Sequence, residues 1–385
     1  MRKALTYTLA LMLMACSSPS GEEVIAPQEE EQQTLLSFYV YAPEHPILTR
    51  ANAGETDASK EESDVKSLQI WVFDQAKDTL VAYYETTSTT NLNGATGGDV
   101  YQIPVSREFA NLRPRVDVYV LANVTQSNAG MKYGKNTPAD ELRTAPLNND
   151  HFGTDPLTTS VPGDGLPQSG VLLNQPVIGQ KPILRIGTNY SEMATVRLVR
   201  AVSKLQFVFT SLTGNKVTIT GITLKENMLP SVQYLFLDGP YTGRNTHIWE
   251  TSYIGTPITL FNSSLMVSEV TDPLEYIFVD GVESAQEYET RINNAVDISG
   301  NKLSSAGPYY LHESNKQLVG SVSYSVNGVP MEEPATFTMA EEGDFSRNHT
   351  WLVYAYYGDA VLEFNIVDVN SWTDKDVRNH DVYNW

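Results

Sequence analysis

Apolar and polar residues alternate with period two over much of this chain, the signature of half-buried β-strands. Leu36, Phe38 and Val40 alternate with Ser37, Tyr39 and Tyr41, so the first such stretch has one wholly apolar face. In Ser67–Asp74, Leu68, Ile70 and Val72 share one face and Trp71 and Phe73 the other, and Thr79–Glu85 is placed to return beside it. Val100–Val105 and Arg115–Val124 continue the series. Thr195–Thr210 is the longest run. Val196, Leu198 and Arg200 fall on one of its faces, and a kink or bulge is expected in its middle because few strands exceed about ten residues. A second series follows: Lys216–Lys225, Tyr309–Ser314, Leu318–Val326 turning at Asn327-Gly328, Ala335–Met339, Thr350–Tyr357 and Val361–Val369. Helix signals are sparse. Thr137-Pro138-Ala139-Asp140 reads as a Thr-capped start of one short helix, and Asn148–Gln168 is turn-rich and unperiodic. The pattern predicts an all-β chain of two tandem β-sandwich domains, residues 51–213 and 214–385, with the joint near Ser211–Asn215.

The N-terminal region has a different character. Arg2 and Lys3 precede the apolar run Ala4–Ala15, which is too short for a permanent membrane span and fits a signal peptide of residues 1–15. It closes on Leu13-Met14-Ala15-Cys16, a spacing that resembles a bacterial lipobox, so Cys16 is the candidate lipidation site. Cys16 is also the single cysteine of the chain, which excludes an intramolecular disulfide and a thiolate metal cluster. The tract Ser17–Gln33 is rich in Ser, Pro and Glu and reads as a tether. After the first strand, Pro43 and Pro46 stop the ladder, and the run from Ala51 to Asp64 is small and charged, without the apolar content of a core. Arg50 stands at the edge of that run. A sound strand is thus joined to the body by a segment open to proteases, and residues 16–50 read as a tether with a removable strand.

Charge narrows the partners. Twenty-six basic against 46 acidic side chains give a formal charge of −20. Such a surface repels nucleic acid and anionic headgroups. No Gly-Lys-Ser or Gly-Lys-Thr follows the glycines at 94, 97 and 98, and no Gly-x-Ser-x-Gly elbow occurs. The six histidines (His45, His151, His247, His312, His349, His380) have no metal-ligand spacing. No catalytic residue, metal site or cofactor is expected. Arg-Asn-His occurs at Arg347–His349 and again at Arg378–His380; the first is read as structural. Asp78-Thr79-Leu80 resembles a short bacterial O-glycosylation sequence. The last strand, Val361 to Trp372, places Leu362, Phe364 and Ile366 on one face, with Glu363 and Asn365 opposite. It can serve as the closing strand of its own domain or be donated to another chain.

Taken in order, the lipobox, early strand, loop arginine, IWVFD, YVLANV, VRLVRAVSKLQF, YYLHES, RNHTWLVYAYY and aromatic tail resemble the fimbrillin superfamily of Bacteroidales, subunits of type V pili. That resemblance implies two transthyretin-like sandwiches and export as a lipoprotein held to the outer membrane through Cys16. It implies cleavage after Arg50 by an arginine-specific protease, leaving Ala51 as the new terminus. Loss of the first strand then opens a groove that the C-terminal strand of a neighbouring copy or related subunit fills, head to tail. The expected location is the cell surface, in a fimbrium that supports adhesion, with no enzymatic activity. Two other readings are a monomeric surface lipoprotein that binds glycan and a tip adhesin of the same pilus.

Overall fold

The computed structural model describes residues 33–42, 62, 64–90, 92–93, 98–124, 133–147, 157–189, 193–236, 252–269, 303–339, 345, 347–358 and 360–369. The described residues are predominantly β, and among them are the short helices α1 (Arg107–Leu112) and α2 (Ala139–Arg143). The expected lipidation and cleavage positions Cys16, Arg50 and Ala51, and the second Arg-Asn-His, lie outside the described residues.

The strands form four main sheets and one short ribbon. In the first sheet β1 (Thr34–Tyr41) lies between β4 (Gly98–Val105) on one side and β10 (Ile183–Ile186) and β11 (Thr195–Arg197) on the other, and β9 (Val177–Gln180) pairs with β10. The second runs β12 (Val199–Arg200), β8 (Gln168–Gln175), β5 (Val116–Ala122), β2 (Leu68–Asp74), β3 (Thr79–Thr86). The third runs β24 (Val361–Val369), β23 (Thr350–Gly358), β13 (Ser203–Ser211), β19 (Ser304–Leu311), β7 (Leu157–Thr158), with β18 (Ser268–Glu269) on β13. The fourth centres on β14 (Val217–Leu224) and β20 (Leu318–Val326). Around them lie β16 (Ile258–Phe261), β17 (Leu265–Met266), β21 (Val329–Pro330) and β22 (Ala335–Met339). β6 (Pro146–Leu147) and β15 (Gln233–Tyr234) make the ribbon.

Alternation explains the cores. The inward residues of the first two sheets, among them Leu36, Phe38, Val40, Ile70, Val118 and Leu184, enclose one apolar cluster. Those of the other two sheets, among them Phe207, Phe209, Ile219, Val322, Phe337 and Val353, enclose a second. A third cluster covers the outer face of the second sheet: Trp71, Phe73 and Tyr119 pack with Leu147, Leu235, Phe236 and Tyr310. Trp71 and Phe73, the "other face" of their strand in sequence, are therefore buried as well.

The long run 195–210 is broken into β11, β12 and β13, and the chain changes from one pair of sheets to the other between Arg200 and Ser203. β13 thus sits in the sheet of the C-terminal residues, about ten residues before the joint expected from pattern. Of the expected strand Tyr309–Ser314 only Tyr309–Leu311 is strand, the end of one that starts earlier, at Ser304; Gly307 and Pro308 interrupt the alternation that would have announced it. Asn327 and Gly328 turn with positive φ of 52° and 81°, as a two-residue hairpin requires. The short helix α2 is entered through Pro138 without a side-chain cap, because the Thr137 hydroxyl accepts from the Gly134 N–H at 2.9 Å instead.

Candidate functional site

β1 is an interior strand. Thr34–Tyr41 pairs antiparallel with all of Gly98–Val105 and parallel with Ile183–Arg185 and Thr195–Arg197. Further backbone bonds run from Leu35 N–H to Pro182 O (2.8 Å), Tyr39 N–H to Ala194 O (3.0 Å) and Leu198 N–H to Tyr41 O (2.8 Å). Leu36, Phe38 and Val40 are each 0% exposed. The outer side fits as closely: a Cβ on Gly98 would collide with the Tyr39 ring, and the Arg197 guanidinium lies 5.6 Å from the Tyr41 ring centroid. Full burial of three such side chains contributes about 1.5–3 kcal/mol each. Taking β1 away would leave an apolar slot with an unpaired backbone edge on each side.

The other end of the chain is built differently. β24 is an edge strand, paired antiparallel with β23 from Gly358↔Val361 to Thr350↔Val369. Leu362 is buried, whereas Phe364 and Ile366 are only partly buried against the second core, with the Phe364 ring 5.6 Å from that of Phe337. The three expected donor residues therefore face inward in their own sheet, in line with the closing-strand reading of the sequence. Their order repeats that of β1: Leu-x-Phe-x-Ile at 362–366 against Leu-x-Phe-x-Val at 36–40.

The ends of the intervening segment are anchored separately. Beyond β1 the chain returns to described structure at Glu62, which is 1% exposed although it lies in a run that reads as coreless. Its carboxylate takes a bond from the Tyr310 hydroxyl at 2.6 Å and an ion pair with Lys204 Nζ at 2.8 Å, and its carbonyl accepts from Arg200 Nε at 2.9 Å. Burial pushes the Glu62 carboxyl up, but Lys204, Tyr310 and the field of Arg200 outweigh it and hold it below the usual range. Arg200 is itself buried, which lowers it to about 10 against the opposing pull of Glu62, so it stays charged at neutral pH. Arg200 also donates to Asn348 Oδ1 at 3.1 Å.

A second buried pair stands nearby. Arg347 Nε donates to Glu313 Oε1 at 3.0 Å, and its two terminal nitrogens reach Leu235 O and Tyr234 O at 2.8 Å each. The Glu313 N–H in turn donates to Gln233 Oε1 at 2.8 Å, and Gln233 Nε2 donates to Ala201 O. The first Arg-Asn-His is structural, as its sequence reading has it. His312 beside it is fully buried, which drops its imidazole to about 4 and keeps it neutral at pH 7. Sequence reasoning did not single out Glu62 or Glu313. The phase of Arg200 with Val196 and Leu198 was the one signal that a charge on this stretch points inward. Thr79 of Asp78-Thr79-Leu80 is exposed at a hairpin, where Arg143 holds Asp78 at 2.7 Å.

With this geometry in hand, residues 36–175 match the family model described as major fimbrial subunit protein (FimA), a span that begins inside β1 and ends with β8. Among solved structures, the tip fimbrial protein Mfa3 from Porphyromonas gingivalis, with C-terminal truncation, is similar at 13% identity. The similarity covers 88% of this chain and 100% of that one, with a TM-score of 0.45. A fimbrial assembly protein from Parabacteroides distasonis is similar at 13% identity, covering 88% and 96%, with a TM-score of 0.43. No curated protein matches the chain. What the comparisons show is thus a similarity of residues 36–175 to the FimA fimbrial subunits.

Proposed function

We infer that this chain is a structural subunit of a surface fimbria, exported as a lipoprotein acylated at Cys16, cut after Arg50, and joined head to tail by strand exchange in support of adhesion. Its two pairs of sheets act as two sandwich domains meeting at residues 201–202. The observation that carries this reading is the pairing of an enclosed first strand with an edge last strand of the same apolar order. In its own sheet the 362–366 series has one ladder and partial burial; in the slot of β1 it would have a ladder on each side and complete burial. Exchange is therefore downhill once β1 is free to leave, and a head-to-tail contact propagates as a filament. While the chain between β1 and Glu62 is uncut, β1 that leaves its slot returns in a unimolecular step, which a competing strand does not match.

Phe364→Asp tests the joint. A carboxylate forced into the closed slot costs several kcal/mol, whereas at the half-buried edge of β24 it retains access to water. After limited trypsin, the variant is expected to give no ladder on a non-denaturing gel while its melting curve falls only modestly. A ladder equal to that of the parent protein would remove β24 as the donor.

Cys16→Ser tests export. The substitution is expected to abolish labelling by a fatty-acid analogue in cells, and label that persists on the variant would defeat the anchor. The glycan-binding alternative is the weaker one, because among the described residues no aromatic side chain is exposed to act as a stacking platform. A tip position in the same pilus would use the same slot with a different neighbour.

A further inference from the structure

Six of the eight exposed large apolar side chains of the described residues lie at two places, with Val100 and Met266 apart from both. Leu112 (63% exposed) and Ile183 stand at the mouth of the β1 slot, since Ile183 opposes Leu35 and α1 follows directly from the end of β4 that opposes Thr34. Val329, Met331 and Val361 stand at the root of β24, with Leu212 bonded to Tyr357 at the same end. The charges at the two places are opposite. At the slot mouth Arg113, Arg115 and Lys181 are exposed against Glu108, and Lys181 and Arg115 bond to the neutral side chains of Asn111 and Asn174, so their charge is not cancelled by those partners. At the root of β24 an open groove of about 600 Å³ is lined by Tyr324, Met331, Glu332, Glu333, Val361 and Leu362. On a chain of net charge −20 a basic, apolar knob is out of keeping with the bulk surface.

We propose that these two places form an encounter surface between copies of this chain: before β24 leaves its own sheet, the Leu112 knob of one copy seats in the Met331–Val361 groove of the next, with Glu332 and Glu333 facing Arg113 and Lys181. This rests on the strand-exchange reading and deepens it by naming the partner surface and the direction of the donor. If Leu362, Phe364 and Ile366 take the places of Leu36, Phe38 and Val40 in order, Val361 takes the place of Leu35. The root of the donor strand then lies against Ile183, beside α1. The matched residue order and the complementary charges thus select the same orientation, by independent routes. Surfaces of this kind act on the rate of encounter: they steer the copies together before the strand is exchanged, and salt screens them.

The test uses the full chain, cut after Arg50, at low salt. Glu332→Lys with Glu333→Lys, or Arg113→Glu with Lys181→Glu, is expected to slow ladder growth about tenfold. All four substitutions in one chain should restore it, and high salt should erase the difference. Melting curves equal to that of the parent protein confirm that folding is unchanged, as these side chains are exposed. If each pair of substitutions leaves growth at the parent rate, the docking surface is wrong and strand exchange stands. If each slows growth but the fourfold variant does not recover, the slowing is not due to pairing and the surface is also wrong. If the cut parent protein forms no ladder, strand exchange itself fails and the surface falls with it.

Discussion

Arg50→Ala is expected to leave the chain uncut and to hold it as a monomer, with no ladder on a non-denaturing gel under conditions in which the parent protein polymerises. The reasoning lies in the two anchors on either side of residues 43–61. β1 is held by ladders to β4, β10 and β11 and by three fully buried side chains. Glu62 is held by Lys204, Tyr310 and Arg200. With the connection intact, β1 that slips from its slot is recaptured before a neighbour's strand arrives. A cut after Arg50 separates the anchors: β1 can depart for good, while Glu62 keeps the start of the body docked beside β13 and β19. The effect is all-or-none because it changes a unimolecular recapture into a bimolecular one. If the Arg50→Ala chain forms ladders like the parent, strand removal is not the trigger.

Arg347→Ala should give a large loss of stability. The guanidinium neutralises Glu313 and satisfies the carbonyls of Tyr234 and Leu235, and Arg347, Glu313 and Leu235 are buried. Removing one member of such a pair leaves an uncompensated buried charge and costs about 3–5 kcal/mol. For domains of this size that corresponds to a fall in Tm of roughly 6–20 °C, since each kcal/mol shifts Tm by about 2–4 °C. Pairing it with Glu313→Gln removes the stranded carboxylate, and part of the loss should return. A melting curve unchanged by Arg347→Ala would mean that the pair is solvated. The segment Gln233–Phe236, which Arg347 holds, also covers Trp71 and Tyr119 of the other sheet pair, with the Tyr119 and Phe236 rings 5.2 Å apart. Loosening it should therefore destabilise both halves together.

The membership of the strands was legible residue by residue, because side chains alternate across a pleat and burial selects one phase. Leu36, Phe38 and Val40, the KVTITGITLK stretch and the inward face of Leu362, Phe364 and Ile366 all follow from that. The length of 195–210 announced only a kink or bulge; that the run breaks into three strands and passes from one pair of sheets to the other was not legible. The expectations at Cys16 and Arg50 rest on the sequence alone. Pairing was not legible. Nothing local says that β1 is central, that it runs parallel to β10 and β11 but antiparallel to β4, or that β13 joins β23 over eight residues in parallel. Backbone hydrogen-bonding groups are the same at every residue, so partner choice is set by how whole sheets pack. The buried charges were hidden for a related reason. Glu62, Glu313 and Arg347 look like surface residues by type, and each is stable inside only because residues distant in sequence supply the opposite charge or a carbonyl. Alternation, a property of neighbours along the chain, decided which side of each strand faces in; the partners of β1, the anchor at Glu62 and the meeting of the two pairs of sheets depend on contacts across the chain, and only the tertiary structure decided them.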